Sequence, residues 1–308
     1  MIRLEGKFAK LLVLLGFCLV VGGIFSMIGI ALVSPLFGIA MTDISQVLGD
    51  LSSPQNITIL KFLQLFNTIG LFILPAILFA WLFIKQPIEF LKMNKEAKPF
   101  SILLVVGIFA SFLPLVNWSV EWNSYLELPP AMEGLELWMK NAENRAMELT
   151  KAFLVMDSTG ALWFNVLLIG LLPALGEELI FRGIVQRVLN ENRRNYHIGI
   201  WVSAILFSAL HMQFYGFLPR MSLGALFGYL YAWSGSLWIP IFAHFLNNTT
   251  ALVAAYFLGS EIVEKEFDQL GTTEETYIFS AIALVAFIGL MAFFKKSHSL
   301  RAEPKLDA

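Results

Sequence analysis

The stretch Gly176-Glu177-Glu178-Leu179-Ile180-Phe181-Arg182 places two carboxylates and a guanidinium in a part of the chain that otherwise belongs in lipid. The residues from Ser158 to Gly176 carry no charge. An ionised side chain at membrane depth costs at least a few kcal/mol, so such groups are rare there and usually functional. The stretch therefore predicts both a membrane helix and a polar site within it.

The composition indicates a membrane protein with several spans. Of the 308 residues, 57% are hydrophobic and 14% are charged, and the mean hydropathy is +0.72. Soluble domains carry about 25% charged residues. Backbone polar groups in lipid must be paired internally, so the predicted fold is an all-α, polytopic bundle of transmembrane helices. The one cysteine, Cys18, excludes an intrachain disulfide, and no nucleic-acid-binding patch is visible.

Apolar windows predict about eight spans, since a crossing needs about 20 apolar residues. The fifth and sixth windows are short, so their helices must extend by a turn beyond each end of the window to cross the membrane. The first window follows basic residues but is too long for a signal peptide, so we predict a retained span. The windows are Leu11–Val33, Phe62–Ile84, Phe100–Val116, Ala161–Phe181, Ile198–His211, Met221–Trp233, Leu237–Leu258 and Tyr277–Phe294.

Loop charges predict the orientation. Lys and Arg collect in alternate loops, which are expected to be cytoplasmic. The loop after the seventh window is instead acidic, and this pattern places both termini in the cytoplasm. The basic residues are Arg3, Lys7, Lys10, Lys85, Lys92, Lys95, Lys98, Arg182, Arg187, Arg193, Arg194, Lys295, Lys296, Arg301 and Lys305, and the acidic ones are Glu261, Glu264, Glu266, Asp268, Glu274 and Glu275. Arg220 is a lone exception in a short external loop.

One predicted helix is amphipathic and external. After Pro129-Pro130, apolar residues from Leu135 to Phe153 recur at helical spacing with charged residues between them. Glu133 supplies the acid that a helix start favours. The helix either lies on the bilayer surface or acts as a lid or partner-docking element.

The Glu pair is expected to divide its roles. Glu178 and Arg182 are four residues apart and share a helix face, which predicts an ion pair. Neighbours on a helix point about 100° apart, so we expect Glu177 and Glu178 not to share one target. Glu177 is then free to act as a general base. The alternative is that the acids and Arg182 only reach towards the cytoplasmic interface.

Two further apolar stretches carry polar side chains. Phe207 and His211 lie in the fifth span, and a hairpin turning near Arg193-Arg194 would bring His211 to the depth of Glu177. His244 and Asn248 share a face of the seventh span, where the alternative is a packing hydrogen bond. The Gly224-x-x-x-Gly228 spacing favours close helix packing.

These residues allow two kinds of peptide hydrolysis. In one, Glu177 and His211 activate a water while His244 and Asn248 donate hydrogen bonds to the oxyanion. In the other, Glu177, His211 and His244 bind zinc and leave a position for water. The residue pattern is compatible with both reactions, and zinc is the one cofactor that it suggests.

The three segments resemble the motifs of the CAAX-prenyl-protease and bacteriocin-processing family of intramembrane proteases. The family pattern Glu-Glu-x-x-x-Arg, Phe-x-x-x-His and His-x-x-x-Asn is complete here. The resemblance covers roughly Ala161 to Leu258. The matching positions are Glu177, Glu178, Arg182, Phe207, His211, His244 and Asn248.

The resemblance implies an eight-helix intramembrane peptidase that acts on a membrane-associated peptide or protein, with Glu177 and His211 as water activators and His244 and Asn248 as oxyanion partners. It leaves metal use, substrate and oligomeric state open. The alternative is a non-catalytic scaffold or bacteriocin self-immunity protein, and a bacterial inner-membrane location fits both. We expect four regions: N-terminal spans (1–120), an external loop with the amphipathic helix (121–158), the protease core (159–258), and an acidic loop, last span and tail (259–308).

Overall fold

The computed structural model describes residues 5–191, 195–259 and 269–299. Within these ranges the chain is helical and contains no strand, which confirms the predicted all-α membrane bundle. Arg193, Arg194 and most of the acidic loop lie outside the described residues. The helices are α1 Lys7–Phe37, α2 Ile44–Gly49, α3 Pro54–Phe83, α4 Pro87–Phe90, α5 Pro99–Ser124, α6 Glu133–Leu154, α7 Thr159–Asn190, α8 His197–Ala209, α9 Phe217–Ser234, α10 Trp238–Leu258 and α11 Tyr277–Ser299.

Six of the described helices are long and apolar enough to cross a membrane, namely α1, α3, α5, α7, α10 and α11. The predicted fifth and sixth spans correspond to α8, which is apolar but short, and to α9. The total of about eight crossings therefore stays a prediction. Only 11% of the most apolar stretch of α1 is buried inside the protein, as expected of a helix whose apolar side chains face lipid.

Contacts between helix ends identify one end of the bundle. Lys7 at the start of α1 donates to the carbonyl of Leu189 at the end of α7, 3.0 Å away. Ser101 in the first turn of α5 lies 3.1 Å from Nε2 of His298 in the last turn of α11. The start of α1, the end of α7, the start of α5 and the end of α11 therefore lie together, as the predicted alternation of spans requires.

The predicted amphipathic helix is present as α6. It packs against the short 3-10 helix Phe214–Gly216, which follows α8. The rings of Trp138 and Phe214 are 5.4 Å apart, and Glu143 accepts a 3.2 Å hydrogen bond from the backbone N–H of Tyr215. The connection between α8 and α9 is thus covered by α6.

The contact between α1 and α3 depends on a glycine. A Cβ built on Gly70 would overlap the Cβ of Phe25 and lie 3.3 Å from the Cα of Gly22. Gly23, one residue along α1, has no atom within 4 Å of the equivalent position. The two backbones can approach this closely because Gly70 has no side chain.

Gly70→Ala is expected to destabilise the protein by about 1–3 kcal/mol through overpacking. Gly23→Ala is the matched control, and it should be neutral or slightly stabilising because alanine is the better helix former. The measurement is the thermal unfolding midpoint in detergent. Equal midpoints for the two variants would contradict the close α1–α3 contact.

Candidate active site

The geometry of α7 is set by a proline at its centre. Pro173 has no N–H and cannot supply the helical hydrogen bond to the carbonyl of Ile169. A wide π-helical segment, Val166–Leu171, precedes it, and a second one, Leu179–Gln186, follows the two glutamates. Such segments frequently occur at functional sites. The side-chain amide of Asn248 on α10 donates to the Ile169 carbonyl at 3.2 Å and so ties α10 to this irregular part of α7.

The ion pair that the spacing predicts is present. Arg182 Nη1 lies 2.7 Å from Glu178 Oε1, and both side chains are almost fully buried. The alternative in which the acids and Arg182 reach towards the interface is therefore wrong. Glu178 Oε2 and Arg182 Nε have no hydrogen-bond partner among the described residues, so the pair is held by one contact and is not bidentate.

Arg182 is enclosed by a carbonyl and two aromatic rings. Its Nη2 donates to the backbone carbonyl of Gly224 on α9 at 2.8 Å. Its guanidinium carbon lies 5.0 Å from the ring centroid of Phe207 and 5.5 Å from that of Phe227, within cation–π distance. These contacts, together with Glu178, replace the water that the buried guanidinium has lost.

His244 lies between the two glutamates. Its Nδ1–H donates to Glu178 Oε1 at 2.9 Å, while its Nε2 lies 3.9 Å from Glu177 Oε2. The expectation that the acids do not share one target is therefore wrong. The two glutamate side chains still leave the helix about 100° apart, but the imidazole lies between them with Nδ1 towards Glu178 and Nε2 towards Glu177. Phe227 stacks on the ring, with centroids 5.1 Å apart, and fixes its plane.

His211 lies at the edge of this cluster. The helices α7 and α8 pack against each other. The predicted turn at Arg193-Arg194 lies outside the described residues, so the equal depth of Glu177 and His211 stays a prediction. His211 Nδ1–H donates to the Phe207 carbonyl at 2.8 Å, which leaves Nε2 as the free nitrogen. The side chain is exposed, and its ring is 5.0 Å from that of Phe207.

Asn248 lies one turn beyond His244 on α10, as predicted. Its Nδ2 donates to Ile169, and its Oδ1 accepts from Asn247 at 3.1 Å. Only one of its two amide hydrogens has a protein partner in these contacts. The other remains available to a ligand, and the packing role considered from the sequence is present at the same time.

The zinc alternative requires Glu177, His211 and His244 to converge. Among the residues that the structure describes, no three His, Cys, Asp or Glu side chains form a group that could hold a metal ion. Nδ1 of His244 is engaged by Glu178 and Nδ1 of His211 by a carbonyl, which leaves Nε2 of each ring without these contacts. The zinc alternative therefore stays a prediction, and the reaction below uses no step through a metal.

Sequence reasoning missed the residues that surround the charged groups. Phe207 was noted only as the start of a motif, yet its ring faces Arg182, His211 and His244. The Gly224-x-x-x-Gly228 spacing was interpreted as packing alone. The Gly224 carbonyl also accepts a hydrogen bond from Arg182, and the Gly228 carbonyl accepts one from Gln186 at 3.1 Å. Arg182 and Gln186 on α7 are four residues apart, as are Gly224 and Gly228 on α9. This shared spacing is the signal that could have revealed the two hydrogen bonds.

Residues 159–250, which carry all three motifs, match the family model described as Rce1-like, type II CAAX prenyl endopeptidase. This segment of the chain is therefore similar to that family. The match confirms the resemblance for the helices that build the site. It begins at the first residue of the predicted protease core, while the division into four regions stays a prediction.

Two curated relatives come from Bacillus subtilis (strain 168). "Uncharacterized protein YpbD" is 33% identical over 86 residues, which cover 27% of this chain and 41% of the relative. "Putative membrane peptidase YdiL" is 29% identical over 109 residues, which cover 35% of this chain and 43% of the relative. The matched segments thus span about two fifths of each relative. No solved structure matches the chain significantly.

Glu178→Gln is expected to destabilise the protein by about 3–5 kcal/mol, because it leaves the buried Arg182 charge without its counter-ion. The control is Glu148→Gln, which changes an exposed acid on α6. Thermal unfolding of both variants in detergent gives the comparison. A Glu178→Gln midpoint equal to that of Glu148→Gln would show that the ion pair does not hold the helices together.

Proposed function

We propose that this multi-pass membrane protein is an intramembrane endopeptidase that cleaves a membrane-associated peptide or protein. The observation that carries the proposal is the position of Glu177. Its side chain is 12% exposed among apolar helices, and Oε2 lies 3.9 Å from His244 Nε2. This separation is too long for a direct hydrogen bond and short enough for one water or substrate oxygen to bridge.

In the proposed reaction Glu177 acts as the general base. It takes a proton from a water whose oxygen attacks the carbonyl carbon of the scissile peptide, and the carbonyl oxygen becomes an oxyanion. The carbon–nitrogen bond then breaks, and the leaving nitrogen takes the proton from Glu177. His211 helps to hold the water, because its Nδ1–H is engaged by Phe207 and its Nε2 is free to accept a hydrogen bond.

His244 and Asn248 are the proposed oxyanion partners. In this role His244 keeps its Nδ1–H on Glu178 and contacts the oxyanion through its Nε2 edge. The second amide hydrogen of Asn248 is a further donor on the same helix face.

We propose a bacterial inner-membrane protein with both termini in the cytoplasm. The helix-end contacts support this arrangement, since the basic N-terminal turn of α1 lies beside the end of α7. The amphipathic helix α6 lies on the opposite, external side in this orientation. Membrane lipid and a membrane-associated polypeptide are the partners that this placement implies.

Glu177→Gln is expected to lower the rate of cleavage by about 10²–10⁴ while the protein still folds, because only the general base is lost. The measurement is quantitative membrane proteomics of cells that carry wild type or Glu177→Gln, in which the substrate accumulates uncut in the variant. Candidates are then cleaved by purified protein in detergent, with zinc measured on the same preparations.

The control for this experiment is Glu148→Gln, which should process substrates as wild type does. Identical proteomes for wild type and Glu177→Gln would favour the non-catalytic scaffold or self-immunity alternative. Stoichiometric zinc that is lost in both His211→Ala and His244→Ala would replace the metal-free reaction with the zinc one.

The orientation predicts that a cysteine at Glu143 reacts with a membrane-impermeant maleimide added to the outside of intact cells. The background is a variant without Cys18. A cysteine at Lys95, in the exposed loop between α4 and α5, is the matched position for the opposite side. Labelling of the Glu143 position only after the cells are opened would overturn the proposed topology.

A further inference from the structure

A small pocket lies at the end of the bundle where α7 and α9 finish. Its volume is about 340 Å³. A larger open cavity of about 750 Å³ adjoins it, and Lys92 and Arg187 line both. Neither residue takes part in the proposed reaction. The smaller pocket is lined by Phe90, Lys92, Gln186, Arg187, Asn190, Glu191, Tyr231 and Ala232.

The wall of this pocket holds hydrogen-bond donors that the protein does not satisfy. Arg187 Nη1 and the Tyr231 hydroxyl are buried, and neither has a partner among the described residues. Tyr231 is only 2% exposed. A buried donor without a partner costs about 1–3 kcal/mol, so two such groups in one pocket point to a ligand that accepts hydrogen bonds.

The pocket also carries uncompensated positive charge. Within the described ranges, no carboxylate lies within ion-pair distance of Lys92 or Arg187, and the one acid in the lining, Glu191, is paired with Lys10 at 2.6 Å. Glu89 and Glu96 line the larger cavity only. Burial, followed by the nearby charges of Arg187 and Lys95, lowers the pKa of the Lys92 ammonium. A bound anion would relieve this repulsion.

The backbone conformation of Lys92 is fixed by hydrogen bonds to neighbouring residues. Its backbone has a φ of 56°, which is uncommon for a residue other than glycine and is kept only where the surroundings enforce it. Its carbonyl accepts the N–H of Leu237 at 3.2 Å, and the Met93 carbonyl accepts from the indole of Trp238 at 2.9 Å. The Lys92 ammonium consequently lies 5.5 Å from the Tyr231 ring centroid, beside the pocket.

A further polar atom in the wall is an acceptor. Gln186 donates its Nε2 to the Gly228 carbonyl, which fixes the amide orientation, and its Oε1 is buried without a partner in the described part of the chain. The lining thus offers donors to an anion and an acceptor to a hydroxyl. Trp238, whose indole binds the Met93 carbonyl next to Lys92, belongs to a residue type that is enriched at the membrane interface, where phospholipid headgroups lie.

We propose that the pocket formed by Lys92, Gln186, Arg187 and Tyr231 binds a phosphate group, in particular that of an anionic phospholipid headgroup that bears hydroxyls. Lys92, Arg187 and the Tyr231 hydroxyl donate to the phosphate oxygens, as charge-assisted contacts in two of the three cases. Gln186 Oε1 accepts from a headgroup hydroxyl. The site is separate from the Glu177 cluster, and the inference does not depend on peptidase activity.

The test uses the full-length chain in a non-ionic detergent, with the probes phosphatidylglycerol, phosphatidylcholine and inorganic phosphate. The unfolding midpoint is followed as each probe is titrated, and native mass spectrometry counts the retained lipid. Phosphatidylglycerol is expected to raise the wild-type midpoint and to be retained at one molecule per chain. Lys92→Gln and Tyr231→Phe should each weaken this binding by about tenfold or more.

Tyr231→Phe separates binding from folding. It removes a buried hydroxyl without a protein partner, so its midpoint without added lipid should equal or exceed that of wild type while the lipid effect is lost. Lys85→Gln, an exposed lysine outside the pocket, is the control and should behave as wild type. The same variant dependence with inorganic phosphate alone would assign the site to a soluble phosphate. No response to either probe, or equal responses in all variants, would overturn the proposal.

Discussion

The ion pair between Glu178 and Arg182 is the interaction on which the rest of the site depends. A guanidinium at membrane depth needs a counter-ion and further acceptors, since the desolvation penalty of an unpaired charge is several kcal/mol. Glu178 supplies the charge, and the Gly224 carbonyl takes a second N–H. The same Glu178 oxygen receives His244, so the pair that neutralises Arg182 also orients the imidazole towards Glu177. A structural contact therefore sets the geometry of the proposed catalytic group.

The aromatic and glycine residues around the pair complete this solvation. Phe207 and Phe227 present their faces to Arg182, and Phe227 also stacks on His244. A side chain at Gly228 would lie 2.9 Å from Gln186 Oε1 and 2.8 Å from Ile200 Cγ2, so glycine is needed there for α7 and α9 to approach. The close approach is what brings backbone carbonyls of α9 within reach of side chains on α7. Small residues here serve polar contacts as much as packing.

Much of this could be predicted from the sequence, and the failures have physical causes. The Glu178–Arg182 pair follows from helical spacing, and the amphipathic helix α6 from its periodicity, because both are properties of one helix. The sharing of His244 by two adjacent acids could not be predicted in this way, because it depends on how α10 docks against α7. The Ile169 carbonyl could be predicted in part. Pro173 shows from the sequence that this carbonyl lacks its helical partner, but only the packing of α10 against α7 shows that Asn248 binds it. The total of eight crossings stays a prediction, because six described helices have the length and hydropathy of a span while α8 is apolar but short.

The helix α7 connects the membrane interior with the end of the bundle through one repeated contact. Arg182 binds the Gly224 carbonyl, and one turn later Gln186 binds the Gly228 carbonyl, so the two contacts share a single register between α7 and α9. Arg187, the next residue, enters the interfacial pocket, and Tyr231 enters it from α9. An anion held by both residues would bridge the same two helices at a third point. Because this register holds Arg182, the partner of Glu178, occupation of the pocket would stabilise the ion pair without touching it.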